Sequence, residues 1–127
     1  MPNRCLLYYI TDRTAFAADE PTRRSRLLKK ITEAARAGVD YIQLREKDLT
    51  TRELESLARK AVHVIWEIAQ EERGPSYVPA LVINSRIDVA LAAGADGVHL
   101  RSDDITPGGA RNIWTHTARA LAWIDRG

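Results

Sequence analysis

Residues 37–44 read AGVDYIQL and residues 93–100 read AGADGVHL. In each, a glycine closes a helical stretch, an aspartate follows two residues later, and an alternating run begins. One helix-to-strand joint has therefore been used twice, two strand-helix units apart. Upstream of the first copy, Leu27, Leu28, Ile31, Ala34 and Ala35 recur at helical spacing, with Gly38 as the stop. Downstream, Ile42 and Leu44 fall on one side of a strand over residues 41–47, and Gln43, Arg45 and Lys47 on the other. Around the second copy, Ile87, Ala90 and Leu91 predict a short helix ending at Gly94, and residues 97–101 predict a strand.

The rest of the chain continues the alternation. Residues 5–10 form an apolar and aromatic run ending at Thr11 and Asp12, read as a buried first strand with Cys5 as a small buried hydrophobe. Thr50 and Glu53 have capping-box spacing. Behind them Leu54, Leu57, Ala58, Ala61, Val62, Ile65, Ile68 and Ala69 make one helical stripe. After a loop containing Gly74, Pro75 and Pro79, residues 80–84 read as a buried strand. Thr106 and Pro107 suit an N-cap and first helical position, and a fourth helix carries Trp114, Ala118, Leu121 and Ala122.

Strands alternating with helices through short loops specify a parallel sheet. A doubly wound sheet is the rival, but no G-x-G-x-x-G loop follows the first strand, and the polar inward face of the second suits a barrel better. The expected fold is thus α/β, a partial TIM (βα) barrel of about four units, in one domain over residues 1–127. A closed eight-unit barrel needs roughly 200–250 residues; the 127 here predict a truncated half barrel.

A net charge of +2 with 28% charged residues of both signs describes a soluble surface, not a polybasic nucleic-acid or membrane binder. Small anionic ligands remain open. With a single cysteine, no signal-peptide pattern and no apolar run of about 18 residues, the expectation is a cytoplasmic protein.

The chemistry is expected at the carboxyl ends of the strands, where parallel α/β folds bind ligands. Gln43, Arg45 and Lys47 point the same way, and a planar guanidinium beside an ammonium suits a phosphate or diphosphate. The competing reading is a solvated strand end, with Arg45 or Lys47 paired to Glu46 or Asp48. Asn84, Ser85, Arg86 and Asp88 end the third strand, and Asp103 and Asp104 follow the fourth. Carboxylates facing a diphosphate site suggest Mg²⁺, with Asp104 as the ligand. The alternatives are helix capping by Asp103 and Asp104, and by Ser85 with Asp88. His63 and His116 read as surface residues, His99 as a hydrogen-bonded structural residue, and Trp66, Trp114 and Trp123 as packing residues.

Residues 7–13 (LYYITDR), 38–49 (GVDYIQLREKDL), 81–100 (LVINSRIDVALAAGADGVHL) and the following RSDDI resemble, in order and spacing, the superfamily of thiamine phosphate synthase and its paralogue the thiazole tautomerase. The resemblance implies an enzyme joining a hydroxymethylpyrimidine diphosphate to a thiazole phosphate with release of diphosphate. It implies that Gln43 contacts the pyrimidine, that Arg45, Lys47 and Asn84 hold the diphosphate, and that Asp104 binds Mg²⁺. Two departures stand out: Ser85 occupies the position of the family's usual second Mg²⁺ aspartate, and Arg101 and Ser102 stand where Gly and Gln are common. The tautomerase branch tolerates loss of that carboxylate better, because its chemistry is proton transfer on a thiazole phosphate. Units five to eight, which in the family supply the thiazole phosphate pocket, have no counterpart in these residues. The expectation is inactivity alone and self-association through open barrel edges. A thiazole tautomerase-like protein and a non-catalytic phosphate-binding half barrel are the alternatives.

Overall fold

A computed structural model describes residues 5–100, residues 108 and 109, and the backbone of residues 122–124. In chain order it contains β1 (Tyr8–Ile10), a 3₁₀ turn (Arg13–Ala15), α1 (Glu20–Arg36), β2 (Tyr41–Leu44) and α2 (Thr51–Gln70). There follow β3 (Ala80–Asn84), α3 (Ile87–Ala93), β4 (Gly97–Leu100) and β5 (Ala122–Ile124). The strands form one parallel sheet in the order β1-β2-β3-β4-β5. Sequential parallel neighbours joined by helices are the arrangement of a TIM-type barrel, here a part of one.

Register determines which residues reach the site. Tyr9, Ile42 and Leu81 are aligned across the sheet, as are Leu44, Ile83 and Val98. Alternation puts these on one face, where they pack with Leu27, Ile31, Leu57, Ala61 and Val89 of the helices as the hydrophobic core. The opposite face carries Tyr8, Ile10, Tyr41, Gln43, Val82, Asn84 and His99, so polar side chains collect on one side of the sheet near its carboxyl edge.

The repeated joint has one geometry in both copies. Gly38 and Gly94 have φ of +90° and +74°, a conformation costly for any residue with a Cβ. The amide of the next residue returns to the helix: Val39 N–H donates to the Ala34 carbonyl at 3.2 Å, and Ala95 N–H to that of Ala90 at 2.9 Å. Asp40 Oδ2 accepts the Leu7 amide and Asp96 Oδ2 the Leu81 amide, each at 2.8 Å. In return the Asp40 and Asp96 amides donate to the Leu7 and Leu81 carbonyls, both at 2.9 Å. Each aspartate thereby clamps the start of the preceding strand of its unit.

Helix α2 begins with the expected capping box between Thr50 and Glu53. Arg24 of α1 reaches across to Glu53 at 2.7 Å and joins the two helices.

Several expectations need correction. The first strand is shorter than residues 5–10, and Cys5, Leu6, Leu7 and Ile10 are exposed. Among the described strands β1 pairs only with β2, which leaves this apolar run uncovered at an edge. The second strand ends at Leu44 instead of Lys47, because the Arg45 amide turns to the Thr11 hydroxyl. Trp66 is 58% exposed and stacks on His63, itself exposed as expected; the end of the α2 stripe at Ala69 is exposed too. Ser85 does not cap α3: the N-cap is Arg86, without a side-chain hydrogen bond to the helix. Ala122 belongs to a strand, not to the expected fourth helix. Arg101, Ser102, Asp103, Asp104, Thr106, Pro107, Trp114, His116, Ala118 and Leu121 lie outside the described residues, as does the side chain of Trp123.

Candidate functional site at the carboxyl ends of the strands

At the ends of β1 and β2 lies a buried charged network that the sequence analysis did not single out. Arg13 is 2% exposed and Glu46 4%. The Arg13 guanidinium forks onto Asp48, with Nη1 to Oδ1 at 2.7 Å and Nη2 to Oδ2 at 2.9 Å. Its Nε and Nη2 bond Glu20, and Nη1 also bonds Glu46 Oε1 at 3.2 Å. All five donors of the side chain are thus engaged. Asp48 and then Glu20 raise the Arg13 pKa, and Arg13 in turn holds both carboxyls below their usual range. Glu46 also accepts the Arg13 amide at 2.9 Å and the Thr11 hydroxyl at 2.5 Å. A buried carboxylate needs this many partners to remain unstrained.

The network disposes of the surface-pair reading of the neighbouring cations. Glu46 and Asp48, the carboxylates next to Arg45 and Lys47 in sequence, are bound to Arg13. Among the described residues, neither the Arg45 nor the Lys47 side chain forms an ion pair or hydrogen bond, and both are exposed. The signal in the sequence was Thr11-x-Arg13 and Glu46-x-Asp48, two polar pairs of equal spacing closing adjacent strands.

Lys47, Asn84 and Ser85 line a cleft of about 220 Å³ with Leu44, Glu46, Leu49, Leu54 and Arg86. Arg45 and Gln43 are outside that lining. Gln43 is 3% exposed, and its amide donates to the Tyr8 hydroxyl at 3.1 Å, with Tyr8 stacked on Tyr41. Ser85 has φ of +65° and donates its amide to the His99 carbonyl at 2.7 Å. A non-glycine residue in the left-handed region is uncommon and is found at ligand sites more often than elsewhere. Arg86 forks onto Asp88, at 3.1 and 2.8 Å, and reaches Thr51 of α2 at 2.7 Å. Next to Asn84 across the sheet, His99 Nδ1 is buried without a hydrogen-bond partner, contrary to the expectation of a hydrogen-bonded histidine.

No group of three or more His, Cys, Asp or Glu side chains among the described residues is placed to hold a metal ion. The carboxylates at these strand ends are committed, Glu46 and Asp48 to Arg13 and Asp88 to Arg86. Ser85 offers only a hydroxyl, so this donor set does not fit Mg²⁺, which favours carboxylate oxygens. No helix among the described residues is long and apolar enough to cross a membrane.

Parallel strands wound in sequence with helices on one face define a protein of the βα-barrel class, whose ligand sites lie at the carboxyl ends of the strands. Residues 7–119 match the family model described as thiamine monophosphate synthase. The chain belongs to that family. It is 39% identical over 107 residues to the thiamine-phosphate synthase of Solidesulfovibrio magneticus, which covers 84% of this chain and 44% of that protein. It is 40% identical over the same length to the thiamine-phosphate synthase of Methanoculleus marisnigri, with the same coverage. Among solved structures, thiamine phosphate pyrophosphorylase from Pyrococcus furiosus superposes with a TM-score of 0.66 at 28% identity, over 92% of this chain and 48% of that one. The chain thus spans under half the length of the relatives it matches.

Proposed function

We propose that this chain carries the diphosphate-binding part of a thiamine phosphate synthase, acting in thiamine biosynthesis in the cytoplasm. Its substrates would be hydroxymethylpyrimidine diphosphate and thiazole phosphate. The observation that carries this reading is the pair Arg45 and Lys47, left unpaired among the described residues because the carboxylates interleaved with them are bound by Arg13. Two exposed cations at one strand end, with Lys47 sharing a cleft with Asn84, suit a diphosphate. In the reaction, the bond from the pyrimidine methylene to the diphosphate oxygen breaks with its electron pair going to diphosphate. The thiazole nitrogen lone pair then forms the new carbon–nitrogen bond. Negative charge grows on the leaving group, so Arg45 and Lys47 stabilise that transition state more than the ground state. Gln43 would orient the pyrimidine once released from Tyr8.

Calorimetric titration of inorganic diphosphate tests the site. Arg45→Ala is expected to weaken binding about tenfold, the equivalent of about 1.4 kcal/mol. Equal affinities would remove the site from consideration. Asp104 is the residue we assign to Mg²⁺, by its place after β4 in the family pattern. Ser85→Asp should raise Mg²⁺ affinity by adding a carboxylate, and the left-handed backbone there tolerates aspartate.

A second reading of the same exposed cations is phosphate binding without turnover. Assay of the chain with both substrates, alone and with the complementary part of a complete relative, separates the two. Turnover only in the mixture supports a half site, and turnover in neither supports a binding module. Self-association through the β1 edge is part of the proposal.

A further inference from the structure

We infer that Arg13 is the positioning residue that keeps the strand-end site cationic, by binding Glu46 and Asp48, the two carboxylates interleaved with Arg45 and Lys47. The inference rests on the proposed diphosphate site and assigns a role to a residue that does not itself line it. In the segment Arg45-Glu46-Lys47-Asp48 the charges alternate and cancel. Left to themselves, the side chains would form local pairs, and an anion would have to displace a carboxylate before binding. The fold prevents this by supplying a third cation from the neighbouring strand end. Arg13 forks onto Asp48, reaches Glu46 at 3.2 Å and uses its remaining donors on Glu20 of α1. Glu46 is buried, whereas Arg45 and Lys47 are exposed.

The same network sets the backbone of Arg45. Its amide donates to Thr11 Oγ1 at 3.0 Å, the Thr11 hydroxyl donates to Glu46 Oε2, and Glu46 Oε1 is held by the Arg13 amide and guanidinium. Removing the guanidinium would release two carboxylates within reach of the two cations. Each carboxylate so released competes with an incoming anion for the same cation.

The test is titration of inorganic diphosphate into the whole chain and into Arg13→Met, with circular dichroism confirming the fold. Affinity should fall tenfold or more in Arg13→Met. It should return to within about threefold of the parent in the triple variant Arg13→Met/Glu46→Gln/Asp48→Asn, where neither interleaved carboxylate remains to capture Arg45 or Lys47. A loss that the triple variant fails to restore would overturn the inference, since Arg13 would then act only through structure. Unchanged affinity in Arg13→Met would overturn it as well. Should Arg13→Met not fold, Arg13→Lys against Arg13→Lys/Asp48→Asn makes the same comparison at an exposed carboxylate. Failure of the parent chain to bind diphosphate, or indifference to Arg45→Ala, overturns the site itself and is read from separate titrations.

Discussion

Asp40 and Asp96 occupy equivalent positions in the two copies of one joint, and their removal should not cost the same. Asp96 accepts the amide of Leu81, which is 1% exposed, whereas Asp40 accepts that of Leu7, which is 52% exposed. A buried amide that loses its acceptor has no water to turn to, so Asp96→Ala should destabilise by about 1–3 kcal/mol. Asp40→Ala should cost clearly less. Urea unfolding of both variants checks the order, and equal losses would mean that burial of the donor does not control the clamp. Gly94→Ala isolates the backbone contribution, since nothing lies within 4 Å of the added Cβ. The left-handed φ alone should cost about 1–2 kcal/mol. These aspartates and glycines were legible in sequence as a repeat. That each aspartate reaches back to the preceding strand was not, because the partner amides lie 33 and 15 residues away.

Helix α2 illustrates an element whose start is specified locally and whose placement is not. Thr50 and Glu53 satisfy each other's backbone amides, as their spacing indicates. The Arg24 guanidinium, and then the Thr50 amide and hydroxyl, pull the Glu53 pKa from 4.5 down to about 2. A folded-state value below the unfolded one means that ionised Glu53 stabilises the fold. Its contribution is complete above about pH 4.5 and is lost as pH falls towards 2. Thermal unfolding across that window should therefore show a loss of stability that Glu53→Gln makes shallower. An unchanged slope would show that exposure and screening leave the pair without effect. Thr50→Ala should cost about 1 kcal/mol at neutral pH through loss of the cap. The helix boundary was readable from a three-residue spacing, while the bond to Arg24 required α1 and α2 to be packed side by side.

At the scale of the whole molecule, the sheet leaves β1 with one described neighbour and exposes Leu6, Leu7, Tyr8 and Ile10 together. An uncovered edge with apolar side chains is a template for another strand. The self-association proposed above should therefore depend on this edge. Ile10→Lys, placing a charge on a residue that is 50% exposed, should shift the chain towards monomer in sedimentation velocity. An unchanged distribution would direct attention to another surface.

The order of strands and helices through β4, the parallel sheet and the strand-end location of Gln43, Arg45, Lys47, Asn84 and Ser85 were determined by sequence alone. Periodicity, caps and glycine stops act within a few residues, and alternation fixes which side chains share a face. What tertiary structure decided is the state of those side chains. Whether Arg45 and Lys47 pair with the acids beside them depends on Arg13, more than 30 residues earlier, being buried against the same strand end. Local spacing shows that opposite charges are near one another in the chain. Only packing, which removes Glu46 from water and makes a distant guanidinium its necessary partner, selects which charges meet.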